Sequence, residues 1–244
     1  MDSKSREIYS RQIIMKDIGE AGQEKLCRAS VLVIGCGGLG APALYYLTAM
    51  GIGHLGLCDG DVVSLSNLNR QLLFSMEDIG KPKASTARER LIALNPNLIT
   101  TVYDQYIDEK LAAEIIPAYD IVLDCLDSFT PRFILNDACI KAGKPFVHAG
   151  IGEYYGQLMT VTPGEGPCLR CLFPGGVPDD SAKKPFGVIG PTPGVMGAIQ
   201  ALEVFRFLNG QSVSNDGLVT YDGMDLSIEK VEIKPSSGCI CATL

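Results

Sequence analysis

The chain has 244 residues, 46% of them hydrophobic, and 21 basic against 28 acidic side chains give a net charge of −7. That length buries a sizeable core as one α/β domain or one domain with appendages. The acidic balance excludes nucleic acid as the main partner, because gripping a phosphate backbone needs a basic surface.

Met1 to Gly22 is charged and lacks an apolar core segment, so no secretory signal is expected. Residues 29–58 contain no Asp, Glu, Lys or Arg, which superficially reads as a membrane span. A glycine-rich turn and Gly51 and Gly53 break that stretch, so a buried strand–helix–strand unit and no membrane partner are expected. Ser30–Gly35 reads as the first strand and Leu39–Met50 as its crossover helix, with Pro42 tolerated in the first turn. Between them lies Gly35-Cys36-Gly37-Gly38-Leu39-Gly40, a G-x-G-x-x-G turn. Such glycines bring backbone N–H groups close to a phosphate at a helix N-terminus; close helix–strand packing is the alternative use.

Leu55–Asp59 is the second strand, and Asp59 stands about 20 residues past the turn, where a Rossmann acid bonds ribose hydroxyls. Asp61 joins it as a candidate nucleotide ligand. The polar run Ser66-Asn67-Leu68-Asn69-Arg70-Gln71 follows at once, with Lys83 soon after. Arg70 and Lys83 would neutralise phosphate oxygens, and Asn67, Asn69 and Gln71 would bond them without charge. Those handles fit a more highly charged ligand than NAD, so ATP is read first and a NAD-dependent oxidoreductase second.

Lys83–Leu94 is a helix stopped at Asn95-Pro96, because the residue before proline avoids the α region. Ile99–Gln105, Ile121–Cys125 and Pro145–Ala149 are further strands, separated by helices near 108–116 and 129–142. Asp124 and Asp127 follow the apolar run Ile121–Leu123, at the end where open α/β sheets place ligands. Asp127 would hold Mg²⁺ together with substrate phosphates, or else cap the next helix. After Gly152 the pattern changes to meander strands at Gly156–Thr162, Leu218–Tyr221 and Ser227–Ile233. Between them lie a long loop, Pro174 to Pro191, and a helix from about Gly194 to Leu208 capped by Thr192. The expected fold class is therefore α/β: a Rossmann-like parallel sheet extended by antiparallel strands, with a Cys-rich zinc-binding region.

Nine cysteines without a secretory signal imply a reducing, cytoplasmic setting. Cys27, Cys36, Cys58, Cys125 and Cys139 sit in apolar surroundings and read as small core residues. Cys168-Leu169-Arg170-Cys171 has knuckle spacing, and Cys239-Ile240-Cys241 would complete four thiolates around structural zinc. A redox pair is the rival reading, but such pairs open a helix, and here Pro and Gly flank the motif. His54 and His148, the two histidines, read as core or strand-end residues.

Taken together, these motifs resemble the ubiquitin-activating-like superfamily, specifically the HesA/MoeB/ThiF family of bacterial sulfur-carrier-protein adenylyltransferases. The resemblance is carried by Tyr9-Ser10-Arg11-Gln12, Gly35–Gly40, Asp59, Ser66–Gln71, Lys83, Asp124-Cys125-Leu126-Asp127, Pro167–Pro174 and Gly190–Glu203. It implies one adenylation domain over 1–244: a helical segment 1–28, a nucleotide-binding half 29–152, and an antiparallel half 153–244 that carries the crossover loop and a carrier-binding surface. It implies ATP, Mg²⁺ and structural zinc, and a reaction that turns the C-terminal Gly-Gly carboxylate of a small ubiquitin-like carrier into an acyl-adenylate. Arg70, Lys83 and Asp127 would act on the phosphates, and Arg11 would reach into a neighbouring subunit, making a homodimer.

Two features depart from the family pattern. The crossover loop carries Asp179, Asp180, Lys183 and Lys184 but no cysteine, so a covalent relay through it is not expected, and a separate sulfur donor protein is. No rhodanese-like segment is seen before Leu244. The tail has Cys-x-Cys where relatives have Cys-x-x-Cys, which is expected to strain the zinc site or to leave both thiols on a free tail. The loop is also expected to act as a lid over the carrier's tail. Other acceptors of adenylate and a non-catalytic scaffold are the remaining alternatives.

Overall fold

Short uncharged runs rich in Val, Ile and Leu pair edge to edge to make the centre of the molecule, which a computed structural model describes over residues 1–178 and 187–242. The strands are β1 (Ser30–Ile34), β2 (His54–Cys58), β3 (Ile99–Tyr103) and β4 (Ile121–Asp124), followed by β5 (Phe146–Gly152), β6 (Tyr155–Val161), β7 (Gly217–Asp222) and β8 (Ser227–Glu232). They form one sheet in the order β3-β2-β1-β4-β5-β6-β7-β8. The first five are parallel, and β6, β7 and β8 continue the sheet antiparallel, as the fold class anticipated.

The helices are α1 (Ser3–Ile8), α2 (Ser10–Ile13), α3 (Gly19–Arg28), α4 (Gly40–Ala49), α5 (Lys83–Leu94), α6 (Glu109–Ile115), α7 (Phe129–Lys141), α8 (Leu169–Leu172) and α9 (Pro191–Leu208). Successive residues of β1 serve opposite faces, as the strand period dictates. Val31 and Val33 belong to a core with Leu44 and Leu47 of α4 and Met196 and Val204 of α9. Leu32 and Ile34 belong to a second core with Leu111 of α6 and Phe133 and Ile140 of α7. A sheet covered on both faces explains why its parallel strands read as continuous apolar runs rather than alternating ones. The uncharged stretch 29–58 is β1–α4–β2, and among the described residues no helix is long and apolar enough to cross a membrane.

The glycine turn between β1 and α4 is fixed by packing. Gly35 has φ +97°, and a Cβ there would lie 2.6 Å from the Cys125 carbonyl oxygen. A Cβ on Gly40 would lie 1.9 Å from the Gly35 carbonyl oxygen, so α4 starts directly against the turn. Gly40→Ala is expected to push α4 outward and cost about 1–3 kcal/mol, read as a lower urea midpoint at unchanged m-value. An unchanged midpoint would show that the turn has slack.

Several boundaries shift by a residue or more from the sequence expectation, and three of the shifts have a clear cause. β2 runs from His54 to Cys58, one residue early, because the parallel register with β3 ends at Cys58–Tyr103. β5 continues to Gly152, since β6 pairs with it as far as Gly152–Tyr155. Thr192 does not cap α9, which starts at Pro191 after Gly190. The Thr192 hydroxyl instead donates to the Glu153 carbonyl at 3.2 Å, tying α9 to the β5–β6 turn. Asp179, Asp180, Lys183 and Lys184 of the crossover loop, and with them the lid expectation, lie outside the described residues.

Candidate functional site

The chain leaves β1 towards β2 on one side and returns through β4 on the other, so the strand order reverses between β1 and β4. Open α/β sheets bind ligands in the crevice outside the carboxyl ends of such strands. Here a cleft of 1420 Å³ opens at that point, larger than the roughly 300–1,000 Å³ of most small-molecule sites. One end is lined by Gly35, Gly37, Gly38, Asp59, Asp61, Arg70, Gln71, Lys83 and Asp127, most of the residues singled out in the sequence. The other end runs past Arg132, Gly150, Gly152, Tyr155, Gly156 and Gln157 to Thr220, Tyr221 and Asp222 on β7.

In the first half, Asp59 is held from both sides. Its Oδ2 accepts the Cys36 N–H at 2.7 Å, and its Oδ1 accepts the Asp61 N–H at 2.8 Å. Burial raises its pKa, and those two N–H groups oppose the rise. The Lys83 ammonium is buried at the start of α5 and donates to Asp61 Oδ2 at 2.8 Å. Tyr106 donates to the other oxygen of Asp61 at 2.6 Å. Burial alone would push Asp61 up, but the Lys83 and Tyr106 bonds outweigh it and hold the carboxyl below its usual range. Arg70 folds back, donating to the Ser66 carbonyl at 3.0 Å and to Asn69 Oδ1 at 2.9 Å. Asp127 is exposed between β4 and Ser128, the N-cap residue of α7.

Four candidates lie off the cleft wall. Gly40 packs beneath the turn. Asn67 accepts the Ser64 N–H and closes a short 3₁₀ turn at Leu65–Asn67. Asn69 steadies Arg70. Arg11 is exposed on α2 and is not brought to the cleft within one chain.

Sequence reading missed a buried polar chain at the other half. His148 Nδ1 lies 2.6 Å from Asp124 Oδ2, and Gln157 lies 3.4 Å from His148 Nε2. Arg132 Nε stands 3.9 Å from Asp124 Oδ1, while Nη2 donates to the Leu126 carbonyl. Burial lowers the His148 pKa, so the ring is neutral at pH 7. Asp124 is held below its usual range because Arg132 and His148 overcome the penalty of burial. β4, α7 and β5 supply one residue each, and no local motif links positions 124, 132 and 148. His54, by contrast, opens β2, stacks on Tyr119 at 5.3 Å and bonds Thr101.

On the far side of α7 the Sγ atoms of Cys168, Cys171, Cys239 and Cys241 all lie within 4.8 Å of one another. Two pairs, Cys168–Cys239 and Cys171–Cys241, are 3.5 Å apart. Four thiolates at ~2.3 Å from zinc would stand ~3.8 Å apart, so the donor set fits a closed tetrahedral ion. Gly238 turns the tail with φ +79° just before Cys239, and Cys241 is 2% exposed rather than on a free tail. Burial pushes Cys168 up to about 11. Cys171 is lowered to about 7, as backbone N–H groups including that of Ser236 overcome its burial. The other five cysteines are free, four of them buried and Cys27 half-buried, and burial pushes Cys58 up to about 12.

A doubly wound sheet with a glycine-rich turn, an acid just past the second strand and two cations at one crevice is the architecture of nucleotide-binding α/β proteins. The chain belongs to the ThiF family, whose model matches residues 9–241. It is 40% identical to the SAMP-activating enzyme E1 of Haloferax volcanii, covering 98% of this chain and 89% of that one. It is also 40% identical to the sulfur carrier protein ThiS adenylyltransferase of Escherichia coli, covering 95% and 92%. Against adenylyltransferase and sulfurtransferase MOCS3 of Xenopus laevis it is 42% identical but spans only 51% of the relative. Among solved structures it is similar to Escherichia coli MccB with ATP, at a TM-score of 0.83 and 26% identity, covering 95% of this chain and 73% of that one.

Proposed function

We propose that this chain is an ATP-dependent adenylyltransferase that activates the C-terminal glycine carboxylate of a small ubiquitin-like sulfur-carrier protein. The carrying observation is the continuous cleft. Phosphate and ribose handles stand at one end, and an open path along Gly150–Gly156 to β7 can take an extended chain terminus at the other. The relatives named adenylyltransferase, aligned over nearly the whole chain, support the same reading, and none of those reported is an oxidoreductase.

In this reading Asp59 holds the ribose hydroxyls, and the backbone of Gly35–Gly38 receives phosphate oxygens. Arg70 and Lys83 take charge as it builds on the phosphates. Asp127 is the carboxylate that would hold Mg²⁺, which when bound neutralises part of the triphosphate charge. A carboxylate oxygen of the carrier attacks the α-phosphorus, forming a carbonyl–oxygen–phosphorus link while the bond to the β-phosphate oxygen breaks and pyrophosphate leaves. The protein's task is alignment and charge stabilisation. Arg11 serves the cleft of a second copy, so the active form is a homodimer. The four cysteines hold structural zinc, a separate protein donates sulfur to the adenylate, and the reaction takes place in the cytoplasm.

The test is ATP–pyrophosphate exchange with purified protein, with and without small Gly-Gly-ending carriers from the same organism. Exchange that requires one carrier and Mg²⁺ is the expected result. Tight ATP binding with no exchange for any carrier would reject adenylation of a carrier.

A further inference from the structure

Among the described residues, three buried side-chain polar atoms have no hydrogen-bond partner: Thr48 Oγ1, Gln71 Oε1 and Arg132 Nε. Two of them, Gln71 and Arg132, belong to residues that line the cleft. A buried polar atom left unsatisfied is costly and calls for an explanation, and a ligand that completes its hydrogen bonds is one. Gln71 sits beside Gly37 in the nucleotide half and falls to the proposed ATP site. Arg132 has no such explanation. It is 7% exposed, it lies in the other half, and the carboxylate beside it, Asp124, sits at 3.9 Å and also serves His148.

We infer that Arg132 forms a carboxylate subsite, gripping the free C-terminal carboxylate of the incoming chain before it is adenylated, with Asp124, His148 and Gln157 as positioning residues behind it. The inference rests on the acceptor reading proposed above and names the group that recognises the acceptor's end.

The geometry suits that task. A guanidinium offers donors in a fixed fork that matches a carboxylate. Buried alone it would be prohibitively unfavourable, and Asp124 supplies the compensating charge that lets it wait in place. Neutral His148 fixes the orientation of Asp124 without adding a second positive charge. The backbone opposite is bare: a Cβ on Gly150 would come within 3.1 Å of both Arg132 Nη1 and Gln157 Nε2. Glycine there leaves the guanidinium accessible to a main-chain carboxylate, and any larger residue would crowd it.

The experiment uses the full-length protein with Mg²⁺ and a non-hydrolysable ATP analogue. Its probe is a synthetic octapeptide ending in Gly-Gly, made as the free acid and as the C-terminal carboxamide. Affinities are measured by calorimetry for the wild type, Arg132→Lys and the charge-balanced pair Arg132→Gln with Asp124→Asn. The wild type is expected to prefer the acid by about tenfold or more, the range of a hydrogen bond to a charged group. The preference should shrink in Arg132→Lys and vanish in the balanced pair, while ATP-analogue affinity stays within twofold. A wild type that does not distinguish acid from amide overturns the inference, as does a preference that survives in the balanced pair or an equal loss of nucleotide affinity. If exchange succeeds with a carrier but the preference ignores Arg132, the inference alone fails. If no carrier supports exchange yet Arg132 still reads the carboxylate, the subsite stands and the adenylation reading fails.

Discussion

Asp127→Ala is expected to lower carrier-dependent ATP–pyrophosphate exchange by about 10²–10³-fold, the usual cost of removing one group that stabilises transition-state charge. The residue follows β4 just before α7 and lines the cleft at the end the proposed function gives to the phosphates. It is exposed, and Ser128, not Asp127, is the N-cap residue of α7. The loss should fall on kcat more than on the KM for ATP, because the interaction strengthens as charge develops. Asp127→Asn should be nearly as poor, since the amide keeps the shape but not the charge that holds Mg²⁺. Exchange within threefold of the wild type in either variant would remove Asp127 from this role.

Cys171→Ser is expected to abolish metal binding and to cost about 3–5 kcal/mol of stability, a fall of roughly 10 °C or more for a chain of this size. The four sulfurs join two segments about seventy residues apart, α8 and the tail at Ile240–Ala242, and both pack on the core under α7. Without an ion, four crowded thiols give little reason for the tail to stay. Protein purified without added zinc should hold one ion per chain, and Cys171→Ser should hold none. Chelation of the wild type should reproduce the lowered midpoint, more readily in acid, where protons compete for the thiolates. Wild-type protein free of metal, or a variant with an unchanged midpoint, would leave the cysteines as ordinary core residues.

Much of this site was legible because its residues act through local chain chemistry. A G-x-G-x-x-G turn is a backbone event over six positions, and its glycines are required by contacts as close as 1.9 Å. Asp59 stands just past β2 at the spacing one strand–helix–strand unit sets, whereas Arg70 and Lys83 stand out through their clustering with Asn67, Asn69 and Gln71 and through the family motif. Asn67 and Asn69 carry the same local signal but turn it to loop structure, bonding Ser64 and Arg70. Spacing does not say which way an amide points. Thr192 repeats the lesson: its sequence position suits a cap, yet its hydroxyl bridges to Glu153 across the fold.

The residues that escaped notice are those whose meaning is a distance between elements. Tyr106 matters because it meets Asp61 across 45 positions, and His148 because it meets Asp124 across 24. Arg132 carries no signal in its own stretch of sequence; it gains meaning beside Asp124 of β4 and Gly150 of β5. By itself the sequence determined the parallel core, its antiparallel extension, the nucleotide turn and the presence of two cysteine motifs, because periodicity, glycine geometry and thiol spacing are properties of short segments. Tertiary structure alone decided which charges are buried together, which polar atoms stay unsatisfied, and that the Cys-x-Cys tail reaches its partners. Those depend on which side chains are removed from water in each other's company, and that is settled only when the sheet is assembled.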